Sequence, residues 1–209
     1  MTRSPERLAY WYFRLNGFLT TENFIVHPDM GKNQMTDADV LAVRLKHRAE
    51  NVESPMIDDP RVAECSTFSN VIIAEIETGR CGLNGPWTDP ARMNMERVLR
   101  AIGCVDEQGV QQAARCLYSN GAWQDKAVSV RLFAVGEERA QLVIPECQQL
   151  TWSEIIQFLI KRFGAYKRQK SSVGQWTTDG RKLQRFALKN GEAAVRQLFG
   201  LSAGGDVHA

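Results

Sequence analysis

The stretch NVIIAEIETGRCGLNGPWT, residues 70–88, begins as an apolar run and then places Glu75 and Glu77 two positions apart, just before a glycine. The run predicts a core strand, with Gly79 and Pro86 marking the loop that follows it. Side chains alternate along a strand, so Val71, Ile73, Glu75 and Glu77 share a face that starts apolar and ends doubly acidic. Two neighbouring carboxylates cannot be taken out of water together without a cation or a proton. Either this strand end is solvated, as acidic strand ends commonly are, or something positive sits on it.

Working outward, the chain predicts an α/β or α+β domain with a central mixed sheet flanked by helices. Pro5 opens a helix whose Leu8, Tyr12, Leu15 and Leu19 recur at amphipathic spacing. ENFIVH, residues 22–27, reads as a first strand closed by Pro28, and DADVLAVRL, residues 37–45, as a second. In that second strand Val40 and Ala42 face one way and Asp39, Leu41 and Val43 the other. Residues 46–69 form a polar loop. Past Trp87, Asp89 and Pro90 suit an N-cap and first turn before ARMNMERVLRAIG, and a further helix spans about Glu107 to Tyr118. AVSVRLFAV and AQLVIP read as two strands joined at GEER in hairpin fashion. Thr151 and Glu154 in TWSE form a capping box before IIQFLIKRFGAYKR. Residues 1–170 are expected to form the domain, and 171–209 an extension that is weakly structured or a short helix.

Composition narrows the function classes. With 44% hydrophobic and 24% charged residues among 209, the chain has material for one sizeable core and lacks a disordered composition. No segment approaches the roughly 18 apolar residues of a membrane span. The start, MTRSPERLAYWYF, lacks the apolar region of a signal peptide, so a cytoplasmic protein is expected. Cys65, Cys81, Cys104, Cys116 and Cys147 are scattered, with no CxxC pair, and read as reduced, mostly packing residues. A net charge of +2 excludes binding to nucleic acid through bulk charge alone.

If the second and third strands pair antiparallel, the start of one lies beside the end of the other, and Asp39 joins Glu75 and Glu77. Three oxygen donors without thiolate or imidazole suit Mg2+ or Mn2+ better than zinc. A cation held so sparsely keeps positions for water and a phosphate oxygen, the arrangement used in phosphodiester hydrolysis.

A helix, a strand, an Asp-bearing strand, a strand ending in Glu-x-Glu, a helix and further strands resemble the PD-(D/E)XK nuclease superfamily, with the restriction-endonuclease-like fold, and its Mrr-type branch in particular. Ala38 and Asp39 match the apolar residue and Asp that open the second strand there, and Glu75 matches the acid of the D/E-x-K element. The resemblance covers residues 5–145 and implies a Mg2+- or Mn2+-dependent endonuclease acting on DNA. Asp39, Glu75 and Glu77 would be its catalytic and metal-binding residues. Where the family has lysine this chain has Glu77. Some restriction enzymes of the superfamily are similar in carrying Glu-x-Glu and remain active. The rival reading is a catalytically silent nuclease-like module that binds nucleic acid or a protein partner. A homodimer is compatible with either.

Arg80, just past Gly79, is a candidate replacement for the missing positive charge. Lys161, Arg162, Lys167, Arg168 and Lys170, interleaved with Phe163 and Tyr166, form the densest basic stretch and are candidates for phosphate contact, against the alternative of a solvated helix face. Arg92, Arg97 and Arg100 are further candidates. Glu6 and Glu22 read as surface acids, and His27 as structural.

Overall fold

A computed structural model describes residues 4–27, 36–50, 55–62, 67–167 and 177–202. Its centre is a six-stranded mixed sheet with helices on both faces. The strands are β1 (Leu19–Val26), β2 (Thr36–Arg44), β3 (Ser69–Ile76), β4 (Ala122–Gln124), β5 (Val128–Gly136) and β6 (Gln148–Thr151). The order across the sheet is β1-β2-β3-β5-β4, with β6 also paired to β5. β1, β2 and β3 run antiparallel in turn, and β5 lies parallel to β3.

One face is covered by α1 (Pro5–Leu15), α5 (Trp152–Ala165) and α6 (Thr178–Leu198), which pack on Val40, Ala42, Ile72, Ala74, Phe133 and Val135. The other is covered by the short α2 (Gly85–Thr88), α3 (Asn94–Ile102) and α4 (Glu107–Asn120), packed on Leu41, Val71, Ile73, Val130, Leu132 and Ala134. β3 is apolar on both sides because it is covered on both sides.

The alternation expected for β2 holds from Val40 to Val43 and then breaks. Ala38 belongs to the α3–α4 side although Val40, two residues on, belongs to the other. Opposite this crossover stands Asn23 of β1, in the left-handed region at φ 49°, a conformation Asn tolerates better than most residues. Beyond it Phe24 pairs with Ala38, and both pack on the α3–α4 side. Asp39 therefore sits where the hairpin turns over.

Several expectations needed correction. AQLVIP is not a strand. Residues 137–147 carry the chain back so that β6 runs parallel to β5, held by Gln149, whose side chain both accepts from the Ala140 N–H and donates to its carbonyl at 2.9 Å. Asp89 does cap, accepting from the Ala91 N–H at 3.0 Å, but it caps the 3-10 turn Pro90–Arg92, and α3 begins only at Asn94. The capping box before α5 forms as expected. The carboxyl-terminal extension contains a 21-residue helix, kinked at Gly191. Its Leu183, Ala187, Val195 and Leu198 join the same core as α1 and α5. The readings made of Pro28, Cys65, Arg168 and Lys170 fall outside the described residues.

Candidate active site

At the end of β3 the chain buries an acid. Glu75, on the side of α2 and α3, is only 5% exposed. The loop leaving β3 returns over it, so that Trp87 donates its indole N–H to Glu75 Oε2 at 2.7 Å and the Asn84 amide donates to Oε1. Burial, and then the neighbouring Asp39, push the Glu75 carboxyl up to about 8 against the pull of the Trp87 hydrogen bond.

Asp39 is brought there by register. Leu41 pairs with Ile73, and that register sets Asp39 opposite Glu75. The paired ladder ends at Val40–Ala74 as β2 turns over, leaving the Ile76 N–H without a strand partner. The Asp39 Oδ2 accepts that N–H at 2.8 Å, as the near-universal pairing of buried backbone donors demands. Oδ1 remains for another partner. Burial pushes Asp39 up to about 6, and Glu6, Asp37 and Glu77 add to the rise. Glu6, read from sequence as a surface acid, thus acts electrostatically on this site from the first turn of α1.

Glu77 stands apart. It follows the last β3–β5 pair, Ile76–Val135, and its backbone N–H still donates to Val135 at 2.9 Å, but its side chain is exposed beside Gly82. Among the described residues no group of three or more His, Cys, Asp or Glu is arranged to hold a metal ion. The three-carboxylate cluster is therefore corrected to a pair, Asp39 and Glu75, with Glu77 exposed just past the end of β3. The donor chemistry of that pair fits a hard cation completed by water: two neighbouring carboxyls, oxygen only, whose strongest charged neighbours are further acids.

The turn after Glu77 is fixed by close backbone packing. A Cβ at Gly136 would lie 2.5 Å from the Cys81 nitrogen and 2.6 Å from the Gly79 oxygen, so only glycine fits. Trp152 donates its indole N–H to the Glu77 carbonyl at 3.1 Å, tying the start of α5 to the same turn.

Of the basic candidates, Arg92 lies against the loop that returns over Glu75. Its guanidinium covers Gly85, the residue after Asn84, and pairs with Asp89 at 3.5 Å. Arg97 donates to the Arg92 carbonyl. Arg80 is 77% exposed and reaches Glu138 at 3.4 Å.

The α5 stretch is elsewhere, and here the sequence reading is corrected. Arg162 is fully buried, paired with Asp58 and, at 3.5 Å, with Glu50. Asp58 also binds Arg44, whose strand partner is Asn70 at the opposite end of β3 from Glu75, roughly 17 Å away at the usual rise per residue. Lys161, on α5, and Lys167, just past its end, are both exposed. Lys161 lines an open cleft of about 660 Å³ together with Ile57, Asp58, Arg61 and Glu154, and none of Asp39, Glu75 or Glu77 borders it. Local sequence density could not distinguish Arg162 from its neighbours. Only its place on the inward face of α5, in step with Ile155, Phe158 and Leu159, hinted at burial. Nothing in the local sequence singles out Asn84 and Trp87, because their role depends on a loop returning over Glu75.

Comparison with family models, with curated proteins and with solved structures matches none of them to this chain.

Proposed function

We propose that the chain is a metal-dependent nuclease of the PD-(D/E)XK kind, hydrolysing phosphodiester bonds, of DNA in the first instance. The observation that carries this reading is the buried Glu75 carboxyl set beside Asp39 with only further acids as its strong charged neighbours. An arrangement so costly to ionise calls for a proton or a bound positive charge, and the reading takes the second. The order of elements on which the family resemblance rests, helix, three strands, helices and strand, adds support.

Asp39 and Glu75 would hold the ion. When bound there, Mg2+ or Mn2+ supplies the charge that polarises a phosphate oxygen and makes water nucleophilic at neutral pH. Glu77, exposed just past the end of β3, orients the attacking water. Arg92 and Arg80 hold phosphates at the rim, where the family would have its lysine. No described helix is long and apolar enough to cross a membrane. A cytoplasmic setting suits the four described cysteines, all free thiols.

A second reading, a silent module that binds nucleic acid or a protein partner, is favoured by one detail: both Glu75 oxygens already accept protein hydrogen bonds. Glu77 separates the two. Incubation of purified protein with plasmid and single-stranded DNA in Mg2+ or Mn2+ is expected to show cleavage that Asp39→Ala abolishes and Glu77→Ala reduces. If wild type is inert and Glu77→Lys cleaves, the site is a decayed one. If neither cleaves, the binding module stands.

A further inference from the structure

We infer that Asn84 and Trp87 are positioning residues that aim the Glu75 carboxylate at the cation of the proposed site, an inference that rests on the nuclease reading. A glutamate side chain has three rotatable bonds, and a buried one without fixed donors would be free to turn away from Asp39. Here each oxygen is held separately. Trp87, fully buried, fixes Oε2 from the core, and Asn84 fixes Oε1 from the loop. Each carboxylate oxygen has two lone-pair directions, so one hydrogen bond per oxygen leaves a direction on each for a metal ion. Both donors favour the ionised carboxylate, which is the form that binds metal. They lie three residues apart, on α2 and its N-cap, so the short helix Gly85–Thr88 serves as a rigid bracket for one side chain. This explains why Trp87 is inserted with its N–H against a carboxylate, where a core position alone would favour phenylalanine or leucine.

Outer partners of metal ligands typically contribute 10- to 100-fold in metal affinity. The test compares wild type, Trp87→Phe, Asn84→Ala, Glu75→Gln and Asp39→Ala. Mn2+ affinity is read by water-proton relaxation, folding by thermal melts in EDTA, and the indole N–H resonances by NMR during Mg2+ titration. Trp87→Phe and Asn84→Ala are expected to weaken Mn2+ binding roughly 10- to 100-fold. In wild type the Trp87 indole resonance should move on Mg2+ saturation, and in Glu75→Gln it should not. The Mn2+ affinity of folded Trp87→Phe and Asn84→Ala is the readout that a purely structural role would leave unmoved. Should Trp87→Phe fail to fold, Asn84→Ala carries the test, since Asn84 is exposed and its truncation leaves the core intact. If both variants fold and bind Mn2+ as tightly as wild type while Asp39→Ala does not bind, the positioning role is overturned and the metal site survives. If wild type binds no Mn2+, the nuclease reading fails and the inference falls with it.

Discussion

The two ends of β3 treat buried charge in opposite ways. At its start, Asp58 and Glu50 are matched by Arg44, Arg48 and Arg162, and Tyr166 donates its hydroxyl to Glu50. At its end, Glu75 and Asp39 face Glu77, Asp37 and Glu6, and their fixed partners are neutral donors, Trp87, Asn84 and the Ile76 N–H. The first end is a closed ion network that fastens the loop after β2 to α5. The second holds charge that only a proton or an added cation can balance. Burial of charge by itself does not mark a function, and the proposed metal site rests instead on burial without compensation.

The largest effect should come from breaking the compensated end. Arg162→Met removes the guanidinium that alone among the described residues is fully buried, and leaves Asp58 and Glu50 each short of a partner. Equilibrium urea unfolding should show a loss of about 3 kcal/mol, with Mn2+ affinity at the other end unchanged. Loss of Mn2+ binding in a variant that still folds would mean the two ends are not independent.

The uncompensated end should show itself through pH. A carboxyl whose folded pKa is raised to about 8 from an ordinary 4.5 keeps its proton in the native state after the unfolded chain has lost it. Stability is then greatest below the unfolded value and falls as pH rises through about 8. Asp39, raised to about 6, adds a smaller fall over a lower range. Glu75→Gln should flatten the upper part of this decline in thermal melts taken from pH 5 to 9. Mg2+ should oppose it, stabilising more at pH 8 than at pH 6; at pH 8 a hundredfold excess over its Kd stabilises by about 2.7 kcal/mol in total. A pH profile that Glu75→Gln leaves unaltered would return this end to ordinary solvated acids.

The smallest effects concern nucleic acid. Arg92→Ala should reduce the salt slope of DNA binding by roughly one unit, and a paired Lys161→Ala and Lys167→Ala substitution should leave it unchanged. The reverse result would place the phosphate track along α5 and the residues just past it, at the compensated end.

How much of this could be read beforehand follows the range of the interactions. β3, the capping box of Thr151 and Glu154, and the meeting of Asp39 with Glu75 rest on alternation and short spacings, which sequence displays directly. The end of the β2–β3 ladder at Val40, and with it the capping of Ile76 by Asp39, depends on a crossover opposite Asn23 in another strand. The parallel course of β6 depends on Gln149 meeting Ala140, and the burial of Arg162 on a loop more than a hundred residues away in sequence. α6 was underestimated because its apolar positions are sparse and become a stripe only against α5.

Gly136 has a consequence for any mutational survey of this chain. It contributes no side chain and touches no proposed ligand, yet the backbone at Gly79 and Cys81 leaves no room for even a methyl group. A saturation screen scored on activity would rank position 136 beside Asp39 and Glu75, with every other amino acid rejected. Scored on protein abundance as well, the positions would part company: the acids should tolerate neutral replacements as folded protein, whereas Gly136 should lose the fold and the activity together.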